Sequence, residues 1–279
     1  MRIIFGSSKR KNRMKLRASI AAFVLAVLAP GASAALIASD QFDYAQGEIN
    51  GQLGGAGWAG AWTANTGATQ VVTPGVALNG SRALQITGNN DNVAYRQLAA
   101  AFTGDNLFVS FLVQIDSGSL TANDFVALWL DTVTSGAHTD RPNIGIKADG
   151  SGNNDVFVRT NGTGGNFAPE GNIGSGNDVT HQIVGRLSRS VPGNYTRFDL
   201  WLDPVLADLA TPDASFTGNA GISQITQIGF RSANLDSGDI VLVDDLRLAT
   251  EWTNVVPEPA SVALLGLGLV GLGFARRRR

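Results

Sequence analysis

The chain has 279 residues, a formal charge of −2, 44% hydrophobic residues, 34 glycines and no cysteine. That length can bury a core without covalent staples, and the missing cysteines exclude disulfide frameworks, thiolate metal sites and thiol nucleophiles. Charge is uneven: residues 35–256 hold 10 basic and 22 acidic side chains, a balance near −12, so no nucleic acid is expected as a partner.

At the N-terminus, seven basic residues from Arg2 to Arg17 precede an apolar stretch, Ala18 to Ala29, then Pro30 and Ala32-Ser33-Ala34. These are the three parts of a secretory signal peptide, with cleavage expected after Ala34. The apolar stretch is too short for a retained membrane helix. Met14 opens a signal of more ordinary length and is the alternative start to Met1.

From residue 35 the composition turns to Gly, Asn, Thr, Ser and Ala with short apolar runs between. Strands are predicted at Leu107 to Ile115, Phe125 to Leu130, Asn143 to Lys147 and Asp155 to Arg159. Four more follow at Gln182 to Leu187, Thr196 to Leu202, Ile225 to Phe230 and Asp239 to Leu248. Each run is rich in β-branched or aromatic residues and bounded by Gly, Asn, Asp or Pro. Helical periodicity is confined to the two ends, apart from one possible turn at Pro204 to Ala210. The fold class expected is an all-β antiparallel sandwich of one domain, residues 35–254.

The segment Phe42-Asp43-Tyr44-x-x-Gly47-x-x-Asn50-Gly51-Gln52, with Gly57-Trp58 and Ala61-Trp62 behind it, resembles the start of concanavalin A-like (LamG-like) domains. Gly238 to Ala249 resembles their final strand. The resemblance implies a jelly roll of two curved sheets with the first and last strands side by side. Its laminarinase-type members carry Glu-x-Asp-x-x-Glu on one strand, whereas residues 35–256 have only Glu48, Glu170 and Glu251, far apart. Retaining hydrolysis needs two carboxyl groups about 5–5.5 Å apart; Asp199 and Asp203 on one strand would stand roughly 13 Å apart. Asp199 therefore reads as outward-facing or turn-supporting. His138, in the polar stretch Ser135 to Asp140, reads as solvated, and His181 as a surface or hydrogen-bonded residue at a strand start. With no Gly-x-Ser-x-Gly elbow, an enzyme is not expected.

Hard oxygen ligands are abundant in Asn153-Asn154-Asp155, Asp236 to Asp239 and Asp244-Asp245, which suits Ca²⁺. The resemblance implies a structural Ca²⁺ where the first and last strands meet, near Asp43, Asp244 and Asp245. Turn-forming roles account for the same residues. Trp129 and Trp201 alternate within apolar strands and read as core. Trp58 and Trp62, in a Gly/Ala-rich loop, either pin the N-terminal segment to the sandwich or stack on a glycan.

The end of the chain carries the most specific signal. Pro257-Glu258-Pro259 leads into 16 uncharged residues, Ala260 to Ala275, and then Arg276, Arg277, Arg278 and Arg279. The prolines stop any helix from running in from the domain. As a helix the apolar run spans roughly 24 Å, a little short of the ~30 Å hydrocarbon core, and the arginines extend its reach toward the cytoplasmic side. This three-part tail resembles the PEP-CTERM sorting signal (residues 255–279), which implies processing by an exosortase after a stay at the inner membrane. The sequence thus predicts a surface-sorted, non-catalytic protein of the envelope or exopolysaccharide matrix, with structural or adhesive function. A carbohydrate-binding module is the alternative, and a glycan-acting enzyme the third reading.

Overall fold

The computed structural model describes residues 36–256 apart from 66, 149–154, 170–172 and 174–178. The signal segment and the tail from Pro257 lie outside the described residues. The strands begin with β1 (Leu36–Asp40), β2 (Gly47–Glu48), β3 (Thr63–Ala64), β4 (Thr69–Val72), β5 (Ala83–Ile86) and β6 (Asn90–Phe102). Next come β7 (Asn106–Ser117), β8 (Phe125–Asp131), β9 (Asn143–Lys147), β10 (Val156–Arg159) and β11 (Asn166–Phe167). The last are β12 (His181–Ser188), β13 (Arg197–Leu202), β14 (Ala214–Thr217), β15 (Ile225–Ala233) and β16 (Ile240–Ala249). A 3-10 turn at Leu206–Ala210 occupies the predicted helical stretch.

These strands form two antiparallel sheets. In the nine-stranded sheet the order is β14-β13-β12-β7-β16-β5-β4-β2, with β1 also paired to β16. The seven-stranded sheet runs β11-β10-β9-β8-β15-β6-β3. The architecture is the all-β sandwich predicted, and the first and last strands lie side by side: Asp40 faces Leu246 and Ser39 faces Arg247.

The core follows from period-two alternation. Val126, Leu128 and Leu130 of β8 and Ile144 and Ile146 of β9 point inward against Val109, Phe111 and Val113 of β7 and Phe198 and Leu200 of β13. Phe111 and Phe230 meet edge to face across the layers at 5.8 Å. Truncating either to alanine is expected to remove about 3–5 kcal/mol.

The opposite faces of both sheets also carry apolar residues. On the nine-stranded sheet, Phe108, Val184 and Trp201 are covered by Trp252, Val255 and Val256. The Trp201 indole N–H donates to the Asp208 carbonyl at 2.8 Å and that of Trp252 to Leu206 at 3.0 Å. The chain therefore leaves the described fold packed on the outer face of this sheet. On the seven-stranded sheet the outward residues include Phe125, Ala127 and Phe157, and Trp129, fully buried as expected of it.

Candidate functional site

The outer face of the seven-stranded sheet is a floor lowered at its centre. Gly145 and Gly229 lie opposite Ala127 and Trp129 in register. A Cβ on Gly229 would come within 2.5 Å of the Trp129 ring and 2.6 Å of the Tyr95 Cβ, so only glycine fits between the two aromatics.

Residues 132–142 fold back over this floor. His138 stacks on Trp129 with centroids 3.8 Å apart and planes 6° from parallel. Its Nδ1 is 2.9 Å from the Asp131 carboxylate and its Nε2 is 3.0 Å from the Asn92 side-chain oxygen. His138 is thus buried, which corrects its reading as a solvated loop residue: ring stacking and two polar partners offset its loss of water. Burial pushes the Asp131 carboxyl up, but bonds from His138, the Thr132 amide and Arg141 outweigh it and hold the group below the usual carboxylate range.

To one side of this loop opens a cleft of about 530 Å³, lined by Phe125, Lys147, Arg159 and Arg231, with Asn123 and Asn234 on its rim. That volume lies within the roughly 300–1,000 Å³ of small-ligand sites. The guanidinium carbons of Arg159 and Arg231 sit 5.4 and 5.0 Å from the Phe125 ring centroid, and Arg159 is also 5.3 Å from that of Phe157. Arg159 is 3% exposed and Arg231 7%. Arg231 donates to Asp91 at 3.0 Å; Arg159 and Lys147 donate to the backbone carbonyls of Gly164 and Thr163. Burial and the charge of Arg231 pull the Arg159 pKa down to about 10, and burial and Arg159 lower that of Lys147. Sequence alone does not group these three cations. A signal existed: Lys147 is the only lysine between residues 35 and 256, and each cation interrupts an apolar strand at an outward position.

The aromatic and acidic residues conspicuous in the sequence gather elsewhere. Trp58 and Trp62 stack 5.9 Å apart beneath Arg96, whose guanidinium carbon is 5.1 and 5.7 Å from their ring centroids. Arg96 donates to Asp40 at 2.8 Å, and the Trp62 N–H donates to the same carboxylate at 2.8 Å. The Phe42 amide and the Tyr44 hydroxyl complete the set around Asp40. Trp62 is buried and Trp58 half-buried, its N–H donating to the Ser39 carbonyl. These tryptophans therefore hold the N-terminal segment against β6.

Asp43 and Asp244 both reach the turn at Asn79 to Ser81. Asp244 lies between the stretches of β16 that pair with β1 and β5. Its two oxygens accept from the amides of Asn79, Gly80 and Asp245. Burial raises its pKa to about 6 against those amides, with Asp245 adding repulsion. Asp245 pairs with Arg247 at 2.9 Å, and exposed Asp43 accepts from the Ser81 hydroxyl. Each of these carboxylates thus already has protein partners that a Ca²⁺ would have to displace. Asp124, Asp236 and Asp239 bring carboxylate oxygens within 4.8 Å of one another, but Asp239 accepts from two backbone amides and Asp124 from one. Asn153 and Asn154, Ala34, Pro257, Glu258, Pro259 and the four terminal arginines lie outside the described residues.

Asp199 and His181 each have an ion-pair partner, and among the described residues His181 is bonded through Nδ1 alone. Asp199 is on the outward side of β13 but fully buried there, under Arg186 and Arg197, each 2.7 Å away. His181 pairs with Asp203 at 2.7 Å.

Fold and site together define a two-sheet β-sandwich with a basic, aromatic-floored cleft on one outer face. At its C-terminus the chain carries the PEP-CTERM protein-sorting motif, matched over residues 255–279. That motif implies an exported, surface-sorted protein processed by an exosortase. No curated protein matches the chain. Among solved structures, the globular domain of T. cruzi calreticulin matches with a TM-score of 0.48 and 10% identity, over 79% of this chain and 90% of that one. An endo-β-1,4-glucuronan lyase from Trichoderma reesei matches at 0.45 and 12%, over 75% and 95%. The CBM22-1 xylan-binding domain of Paenibacillus barcinonensis Xyn10C matches at 0.35 and 14%, over 77% and 94%. These scores are too low for any ligand, ion or activity to carry over. Among the described residues no helix is long and apolar enough to cross a membrane.

Proposed function

We propose that the mature chain is a non-catalytic adhesive component of the cell envelope or exopolysaccharide matrix, exported by its signal segment and sorted by its tail. The observation that carries this function is the opposition of exit and cleft. The chain leaves the fold on the outer face of the nine-stranded sheet, under Trp252 and Val255, whereas the cleft opens on the outer face of the seven-stranded sheet. The exit at Val256 thus lies on the face away from the cleft, whose mouth is free to engage matrix.

The non-catalytic reading draws support from two of the acid–base groups, His138 and Asp199. A general base must be free to take a proton from substrate. His138 is enclosed and bonded at both ring nitrogens, and Asp199 is held by two arginines. A carbohydrate-binding role is the second reading, favoured by the cleft itself. A structural Ca²⁺ would belong at Asp43, Asp244 and Asp245; an unchanged melting curve with added CaCl₂ removes it from this proposal.

The test is co-sedimentation of the exported chain with exopolysaccharide from the producing cells, combined with its intact mass. Retention in the pellet, a mass beginning at Ala35 and lacking the four terminal arginines, and no release of reducing sugar are the expected results. A chain that stays in the supernatant, or one that liberates reducing ends, overturns the proposal.

A further inference from the structure

We infer that the cleft at Lys147, Arg159 and Arg231 binds carboxylate-bearing sugars, so that the matrix polymer this chain holds is an acidic, uronate-containing polysaccharide. The inference rests on the adhesive function above and names the chemistry of its ligand.

The first support is charge accounting. Residues 35–256 have more than two acidic groups for each basic one, 22 against 10, so an arginine has no shortage of carboxylates. Seven of the ten basic residues use one: Arg96, Arg141, Arg186, Arg189, Arg197, Arg231 and Arg247 each lie within ion-pair distance of an aspartate. Among the described residues Arg82, Lys147 and Arg159 do not, and two of these three line this one cleft. Three cations there share a single paired carboxylate, Asp91, whose side chain is half-exposed.

The second support is burial. A guanidinium taken from water is stable only when paired and hydrogen-bonded. Arg159 is 3% exposed and is paired to a carbonyl at 3.3 Å; among the described residues neither its Nε nor that of Arg231 has a hydrogen-bond partner. An incoming carboxylate supplies the missing counter-charge, and its planar oxygens match the terminal nitrogens of a guanidinium fork.

The third support is the rest of the lining. Phe125, buried beneath the two guanidiniums, closes the floor, and Asn123, Asn234, Thr139 and Thr163 bring polar groups to the mouth. A uronate brings a carboxylate for the cations and hydroxyls for the polar rim, so it engages both elements together. A simple anion would use only the cations.

The experiment is isothermal titration of the exported chain with tetragalacturonate, its methyl ester and a heparin tetrasaccharide. Tetragalacturonate is expected to bind, and esterification to weaken binding on the order of tenfold or more, the scale of one lost charge-assisted contact. Lys147→Gln, at a half-buried position that tolerates the change, is expected to weaken binding about tenfold, and Arg159→Lys by several-fold because it keeps the charge but loses the fork. Arg82→Gln, remote from the cleft, is expected to leave binding unchanged. Equal affinity for the methyl ester, equal or tighter binding of heparin, or full binding by Lys147→Gln overturns the assignment. If the chain still sediments with native exopolysaccharide in any of those cases, the adhesive function stands and only the ligand chemistry falls. If tetragalacturonate binds but exopolysaccharide does not retain the chain, the reverse holds.

Discussion

Two arginine–aromatic clusters attach to the same seven-stranded sheet and are opposites in charge. At Asp40, one carboxylate is surrounded by Arg96, the Trp62 N–H, the Tyr44 hydroxyl and the Phe42 amide, and Arg96 finishes its bonding on the Gly60 carbonyl. At Phe125, two guanidiniums flank the aromatic floor; among the described residues only Asp91 pairs with them, and Asp140 acts on Arg159 from beyond pairing distance. The first cluster is closed. It joins residues 56 apart in sequence and fixes the N-terminal segment to β6. The second is open, and its imbalance can be satisfied from outside. The same residue types thus serve packing in one place and binding in the other, and the count of carboxylates separates the two roles.

The largest effect should come from breaking the closed cluster. Asp40→Ala leaves Arg96 buried without its counter-charge and strips the Trp62 and Phe42 N–H groups of their acceptor. Removing one partner of a buried pair costs about 3–5 kcal/mol, which for a domain of this size lowers the melting temperature on the order of 10 °C. A calorimetric or circular-dichroism melt within a degree or two of wild type would show that the cluster holds nothing together.

A second comparison is Asp40 with Asp244, both buried. Asp40 faces a cation, whereas Asp244 has only amides, and burial lifts its pKa to about 6. A carboxyl whose folded pKa is raised binds its proton more tightly in the native state. Its contribution to stability is therefore full below the unfolded value near 4 and is lost as pH rises through about 6. Denaturant titrations at pH 4 and pH 7 should reveal a loss of about 2–3 kcal/mol from this group. Asp244→Asn should flatten that slope whatever it does to stability overall. An unaltered slope in the variant contradicts the placement. Asp131, whose pKa is lowered, acts in the other direction and only below pH 4.

The strands legible in the sequence were those whose neighbours did not matter. The eight runs from Leu107 onward announce themselves by β-branched and aromatic residues between turn formers, and each coincides with a strand to within a few residues at either end. β6 gave no such signal, although it is 13 residues long. It is rich in alanine and asparagine and places Arg96 inward, a choice that makes sense only once Asp40 stands opposite. His138 was misread for a similar reason: nothing local in Ser135 to Asp140 foretells a ring stacked on Trp129. The cleft was illegible as a site because Lys147, Arg159 and Arg231 belong to three strands, and only the pairing of β10 with β9, β9 with β8 and β8 with β15 brings them to one place. The tail needed no such pairing, since its three parts are contiguous.

The sharpest test of the open and closed clusters uses one substitution at two sites. Methionine keeps much of arginine's apolar stem and fills irregular space, but carries no charge. Arg96→Met removes the cation from a fully bonded carboxylate and should be destabilising by about 3–5 kcal/mol, like Asp40→Ala. Arg159→Met removes a cation that, among the described residues, has no ion-paired carboxylate and only the charge of Asp140 beyond pairing distance in its favour. The lost cation–π contacts with Phe125 and Phe157, on the order of 1 kcal/mol, are offset by relief from holding an uncompensated charge out of water. Its net effect on unfolding free energy should stay within about 1 kcal/mol of zero, and removing the repulsion at Arg231 favours the stabilising side. Denaturant titration of both variants reads the difference directly. If Arg159→Met falls as far as Arg96→Met, Arg159 is a structural residue with an internal partner, and the cleft loses the imbalance on which its ligand depends.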